Sequence, residues 1–224
     1  MVSVVDRKYL NGPSRVLVSS PGFMGIVNSG DAAELRGGII RFENNFEIDV
    51  SSAVVWSPNV QKIGVGKFAI PPVPARMKDY VFIKPEYVDR FKKGVYSCNL
   101  SLIETSVDSL AGLGFGLTPS GDDFLAGFIS AAHFFADCRQ FDFFLKNVKI
   151  NTGATNLISA QYIKYAVDGR ISEIVSNVIL SAAGRKNGLD IWIEKLLDIG
   201  ALSGSDTFYG ILTAMEVFNA CKSC

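Results

Sequence analysis

Short β-branched or aromatic runs punctuate the first ninety-five residues, and segments of helical length fill the rest. In the first part the runs 15–19, 38–42, 46–50 and 53–56 predict strands, with 63–70 a further candidate. Glu43-Asn44-Asn45 lies between two of them and predicts a hairpin turn, because Asn tolerates positive φ. The proline stretch Pro71-Pro72-Val73-Pro74 follows, and 86–93 predicts a short helix. In the second part helices are expected over 99–111, 120–137, 155–168, 171–183, 190–199 and 203–220. Gly169, Gly184 and Gly200 stand where these helices should end, since glycine accepts the left-handed cap.

Composition sharpens this division. Seven of the eight prolines lie at or before Pro85, which leaves the second part free to be helical. Residues 1–95 carry 13 Lys/Arg and 9 Asp/Glu, residues 96–224 carry 9 and 13, so the balance swings from +4 to −4. The expected architecture is α+β: a β-rich module over 1–95, then a mainly helical module over 96–224 with an internally repeated helix start. Half of the 16 phenylalanines fall between Phe115 and Phe144, so the densest core is expected there.

The same numbers exclude several classes. Basic and acidic residues cancel at 22 each, against the basic excess of a nucleic-acid binder. The longest charge-free run that looks helical is residues 124–136, short of the roughly 20 residues a membrane span needs. The N-terminal stretch meets charge by Asp6 without an apolar region, so no signal peptide is expected. Four cysteines make no disulfide framework, and a cytoplasmic protein is the expectation.

The most unusual stretch is GLGFGLTPSGDDFLAG, residues 112–127. Gly112, Gly114 and Gly116 alternate just ahead of a helix start, where Pro119 stiffens the approach. Ser120 offers an N-cap hydroxyl, and Asp123, three residues on, completes a capping box. A capping box alone needs no run of glycines, which cost about 1 kcal/mol each in regular structure. The expected product is a flexible turn delivering a helix N-terminus with free N–H groups, an end that attracts anions.

A second copy stands 83 residues later: SGDDFLAGFISA (120–131) aligns without a gap to SGSDTFYGILTA (203–214), with five of twelve positions identical. Ser203 and Asp206 repeat the capping box, and Gly127 and Ala131 match Gly210 and Ala214. A small-x-x-x-small stripe lets helices approach closely, so the two are expected to pack and bring both N-termini to one site. Gly114, Gly116, Thr118, Ser120, Gly121, Ser203, Gly204 and Asp206 are the candidate binding residues. Asp122 and Asp123 are the candidate catalytic pair. Of the acids, Asp123 and Asp206 read as caps, whereas Asp122 has no capping duty, its counterpart is Ser205, and it is the better candidate for a ligand contact, accepting from a substrate nitrogen. Carboxylates here partly neutralise the field that would hold an anion. Two ligands resolve that tension: magnesium with a phosphate, or a small molecule bearing both a carboxylate and N–H donors. No resident cofactor is otherwise expected, and the partner is a small anionic substrate.

Other constellations are weaker. The only histidine, His133, lies inside an apolar run and reads as a hydrogen-bonded core residue. Cys221 and Cys224 form a terminal pair with no second pair nearby. Gly64-Val65-Gly66-Lys67 is followed by Phe68, and Gly112-Leu113-Gly114 lacks the third glycine of the dinucleotide spacing, so neither nucleotide fingerprint is met. Thr152 and Thr155 are further polar candidates, and Lys67, Lys164 and Arg170 are the basic side chains open as anion partners.

The run GLGFGLTPSGDDFLAG resembles the signature of the AllH-type family, and the stretches at 155–169 and 200–210 look like the family's later segments in the right order. The resemblance covers about residues 100–215. It implies a component of a multi-subunit carbamoyltransferase of allantoin (purine) breakdown, with other carbamoyltransferase subunits as partners. Such an enzyme interconverts oxalurate plus phosphate with oxamate plus carbamoyl phosphate. A non-catalytic anion-binding or scaffold subunit and a magnesium-dependent phosphoryl or hydrolase activity stay open, as does a homo-oligomer.

Overall fold

The structure is a computed structural model that describes residues 3–6, 10–18, 25–27, 31–58, 60–63, 69–77, 83–135 and 137–221. The chain divides into two compact units, Met1–Ser57 and Pro58–Cys224. The compositional step at residue 95 falls within the first helix, Pro85–Tyr96.

The first unit is built from strands. β1 (Ser3–Asp6) and β2 (Arg15–Val18) pair in parallel, with Val4 opposite Val16. β3 (Ala33–Arg36), β4 (Ile39–Phe42) and β5 (Glu47–Asp49) form an antiparallel sheet in that order. Gly37 and Gly38, at φ 58° and 79°, make the two-residue turn between β3 and β4. The expected hairpin at residues 43–45 is present: Asn45 has φ 63°, and Asn44 Oδ1 accepts from the Phe46 N–H at 3.0 Å. Two expectations are corrected. Residues 53–56 form no strand, and Val54 and Val55 are 94% and 91% exposed with no strand beside them among the described residues. β3 was not foreseen, because the burial pattern of AELR is exposed throughout and offers no alternation. Residues 64–68, which hold most of the 63–70 strand candidate and Lys67, lie outside the described residues.

The second unit is helical, as an α+β fold requires. A single 3-10 turn (Ala75–Met77) follows the proline stretch. The helices are α1 (Pro85–Tyr96), α2 (Leu100–Leu110), α3 (Ser120–Phe134), α4 (Arg139–Asn147), α5 (Leu157–Val167), α6 (Glu173–Ala182), α7 (Leu189–Leu197) and α8 (Ser203–Ala220). Asn99 caps α2 by accepting from the Leu102 N–H at 3.0 Å, and Asn156 caps α5 by accepting from Ile158 and Ser159. Gly169, Gly184 and Gly200 take φ 70°, 69° and 61° at helix ends, as expected. α4 is the unforeseen helix; its Phe141 and Phe144 are buried one turn apart. The core is phenylalanine-rich: Phe91, Phe128 and Phe144 meet edge to face, with ring centroids 4.6 to 5.7 Å apart. No helix of the described residues is long and apolar enough to cross a membrane.

α3 and α8 form the most extensive helix pair. A Cβ at Gly127 would overlap the Thr207 carbonyl oxygen, and one at Gly210 would overlap that of Phe124. Thr207 and Phe124 occupy equivalent places in the two copies, so the contact is reciprocal. Each copy also rests on the helix before it. A Cβ at Gly121 would overlap the Leu110 carbonyl of α2, and one at Gly204 would overlap the Leu196 carbonyl of α7. Glycine at these offsets is what lets four backbones come together.

Candidate functional site

The starts of α3 and α8 lie side by side, joined by a hydrogen bond of 2.6 Å between the hydroxyls of Thr118 and Ser203. The capping boxes do not form. The N-cap positions are Pro119 and Leu202, and neither makes a side-chain cap bond. The Asp123 N–H bonds the Pro119 carbonyl at 3.1 Å, and the Asp206 N–H bonds that of Leu202 at 3.0 Å. The N–H groups that the serines would have capped are therefore taken. The side chains act across the helix pair instead. Ser203 and Thr118 influence Asp123, while Ser120 influences Asp206.

Burial pushes the Asp123 carboxyl up to about 7; the neighbouring Ser203 and Thr118 hydroxyls pull it back, and the charges of Asp206 and Asp122 push it further. Its Oδ2 is buried without a hydrogen-bond partner. Burial also raises Asp206 to about 6, against the lowering effect of the Ser120 hydroxyl. Near neutral pH the pair therefore carries less than two full charges. An anion at these helix ends would therefore meet less repulsion than two ionised carboxylates would give.

Backbone donors are fewer than the sequence suggests. The Gly121 N–H is taken by the Leu113 carbonyl at 2.8 Å, and that of Gly204 by the Ile199 carbonyl at 3.0 Å. The Ser120 and Ser203 N–H groups stay unpaired among the described residues.

Asp122 has a structural duty that its place in the sequence did not reveal. It is 1% exposed and accepts from the Gly112 N–H at 2.8 Å, the Ser159 hydroxyl at 2.7 Å and the Thr155 hydroxyl. Both carboxyl oxygens are thus engaged, and the glycine loop is tied to α5. Gly112 itself lies against the Ala154 carbonyl. Ser159 was not among the expected residues; its signal was one turn of helix after Thr155. Gly114, at φ 114°, passes so close to Ser120 that a Cβ would stand 2.8 Å from its nitrogen. Gly116, at φ 93°, faces open space.

The remaining candidates lie apart from this cluster or outside description. His133 Nε2 is 3.1 Å from the Val167 carbonyl, and burial lowers its pKa, consistent with a neutral core histidine. Arg170 lies over the Tyr165 ring at 6.0 Å, and Lys164 is exposed on α5. Cys224 and the Thr152 side chain are outside the described residues. Among the described residues no three His, Cys, Asp or Glu side chains are grouped to hold a metal ion.

No solved structure matches the chain. A family model does: the glycine loop, both helix starts and the Asp122 anchor all fall within residues 110–215, the segment that matches the AllH family, described as oxamate carbamoyltransferase subunit AllH.

Proposed function

We propose that the chain is a subunit of a carbamoyltransferase acting on oxalurate, oxamate and carbamoyl phosphate, and that the paired starts of α3 and α8 bind the small anion. The observation that carries this reading is Asp123, a carboxyl with a buried, unpartnered Oδ2 and a pKa of about 7 where the two helices begin. The family match over residues 110–215 supports the reaction class.

The chemistry suits such a group. A phosphate oxygen attacks the carbamoyl carbon of oxalurate, the bond from that carbon to the oxamate nitrogen breaks, and the nitrogen takes a proton. Hydrogen phosphate loses one proton in the same turnover. A carboxyl that half-ionises near neutral pH can pass that proton on and be restored. The unpaired Ser120 and Ser203 N–H groups are donors for substrate oxygens. Asp122 positions the loop, and no side-chain nucleophile is needed.

Calorimetry on the full chain, alone and with co-purifying subunits, tests the reading with carbamoyl phosphate, oxalurate and phosphate. Binding is expected, and Asp122→Ala and Gly116→Val should weaken it. Turnover of the complex should fall on the order of a hundredfold in Asp123→Asn. A scaffold subunit would hold its partners while that variant left turnover intact. No heat from any of the three compounds would reject the site.

A further inference from the structure

β3 is the outer strand of the three-stranded sheet, and all four of its residues are exposed. No strand lies on its far side among the described residues. In an antiparallel ladder the backbone groups of successive residues point alternately to one neighbour and the other. The Ala32 carbonyl accepts from the Glu43 N–H at 3.2 Å, and the Gly37-Gly38 turn brings Arg36 opposite Ile39. Residues 32, 34 and 36 therefore turn their backbone groups toward β4, and Ala33 and Leu35 turn theirs outward.

Two rows of side chains cross the sheet and stop at this edge. On one face Ile48 pairs with Ile40, and Ile40 with Leu35. Exposure rises along that row from 7% at Ile48 to 66% at Leu35. On the other face Glu47 pairs with Arg41, and Arg41 with Glu34, so the charges alternate in sign. Arg41 Nε is 2.6 Å from Glu47 Oε1. Arg36 stands two residues from Glu34 on the same face, and neither is in an ion pair among the described residues.

We propose that β3 pairs with β3 of a second copy of this chain, antiparallel, across a two-fold axis at Leu35, so that two three-stranded sheets become one. Leu35 then exchanges both backbone hydrogen bonds with its counterpart, and the two apolar rows close on each other. Glu34 of each copy meets Arg36 of the other, which extends the alternating row by one more charge. The neighbouring symmetric registers would set Glu34 on Glu34 or Arg36 on Arg36. Charges on an edge strand ordinarily discourage pairing. Here opposite signs two residues apart reject the adjacent registers and favour this one. The pairing uses the first unit alone and is independent of the anion site.

Sedimentation velocity on the full chain, from about 1 to about 200 μM, reads the association; a contact of one short strand is expected to dissociate in the micromolar range. Glu34→Arg and Arg36→Glu each set like charges across the axis and should weaken self-association at least tenfold. Mixed together, the two variants present opposite charges at both places and should associate as the unchanged chain does. Leu35→Cys keeps the proposal falsifiable if a charge variant fails to fold. Its Cα atoms would stand about 5.5 Å apart in a hydrogen-bonded pair, within disulfide range, so mild oxidation should link two copies at position 35, read by mass spectrometry. A chain that stays monomeric, single variants that self-associate unchanged, folded variants that do not pair when mixed, or no link at position 35 each overturns the proposal. The same variants are run in the co-purifying complex. If they shed other subunits while the unchanged chain alone is monomeric, the edge belongs to another subunit and the pairing of copies is overturned.

Discussion

The starts of α3 and α8 are built on one plan and finished differently. In both, a serine opens the helix and a glycine next to it rests on the carbonyl of the preceding helix. In both, an aspartate one turn in is pushed up by burial, and a second glycine meets the partner helix. Within their first four residues they differ at one position, and they differ in what comes before. The first copy has Asp122 where the second has Ser205, and only the first is preceded by three positive-φ glycines in a row of alternating residues. Asp122 holds that loop through the Gly112 N–H. The shared half of the design is thus the helix crossing, and the unshared half is the loop with its anchor. A site of the kind proposed would have a symmetric floor and a one-sided wall.

The largest expected effect separates the two acids. A carboxyl raised in the folded state keeps its proton there while the unfolded chain loses it. Stability is then fully present near pH 4 and is lost as pH climbs through the folded pKa. For Asp123, raised from 3.8 to about 7, the loss between about pH 4 and pH 7 is on the order of 4 kcal/mol as an upper limit. Urea unfolding across that range should show Asp123→Asn flattening the profile. Asp206→Asn should flatten it less, because Asp206 reaches only about 6. Equal flattening would mean that the two copies are electrostatically alike.

The crossing should fail equally from either side. Gly127→Ala and Gly210→Ala each drive a methyl group into a carbonyl of the facing helix. The expected cost is about 3 kcal/mol for each, after subtracting the roughly 1 kcal/mol that alanine gains in a helix. Chemical denaturation checks this. If one variant is tolerated and the other is not, the reciprocal contact is not shared.

How far these features could be read from the chain depended on their range. The Gly127 and Gly210 contacts were legible, because small residues at equal offsets in two segments are a steric statement that survives without coordinates. The extent of α8, Ser203–Ala220, was legible for the same reason, with Gly200 ahead of it and no proline within it. The capping boxes misled because each serine has a local acid three residues on, while the acid it acts on lies across the helix pair. Asp122 read as free to contact a ligand since its partners, Gly112, Thr155 and Ser159, stand ten or more residues away. Ala53-Val54-Val55-Trp56 has strand propensity, yet propensity without a pairing partner makes no strand.

The position where the copies differ gives the next test. Asp122→Ala strands three buried donors and should cost about 2 to 3 kcal/mol. Ser205→Ala should stay within about 0.5 kcal/mol. Thermal melts of the two variants suffice. A costly Ser205→Ala would give the second copy an anchor of its own and remove the asymmetry.

The smallest effect discriminates most finely, because it asks which helix each serine serves. Double-mutant cycles compare Ser203→Ala with Asp123→Asn, and Ser120→Ala with Asp206→Asn. A hydroxyl acting on a carboxyl of the other helix should give a coupling of about 1 kcal/mol in each cycle. The cycles within one helix, Ser120 with Asp123 and Ser203 with Asp206, should give none, since those aspartate N–H groups are held by the Pro119 and Leu202 carbonyls. Coupling within each helix and none across would restore two independent capping boxes. The starts of α3 and α8 would then be neighbours with no exchange between them, and the proton-transfer role proposed for Asp123 would lose its setting.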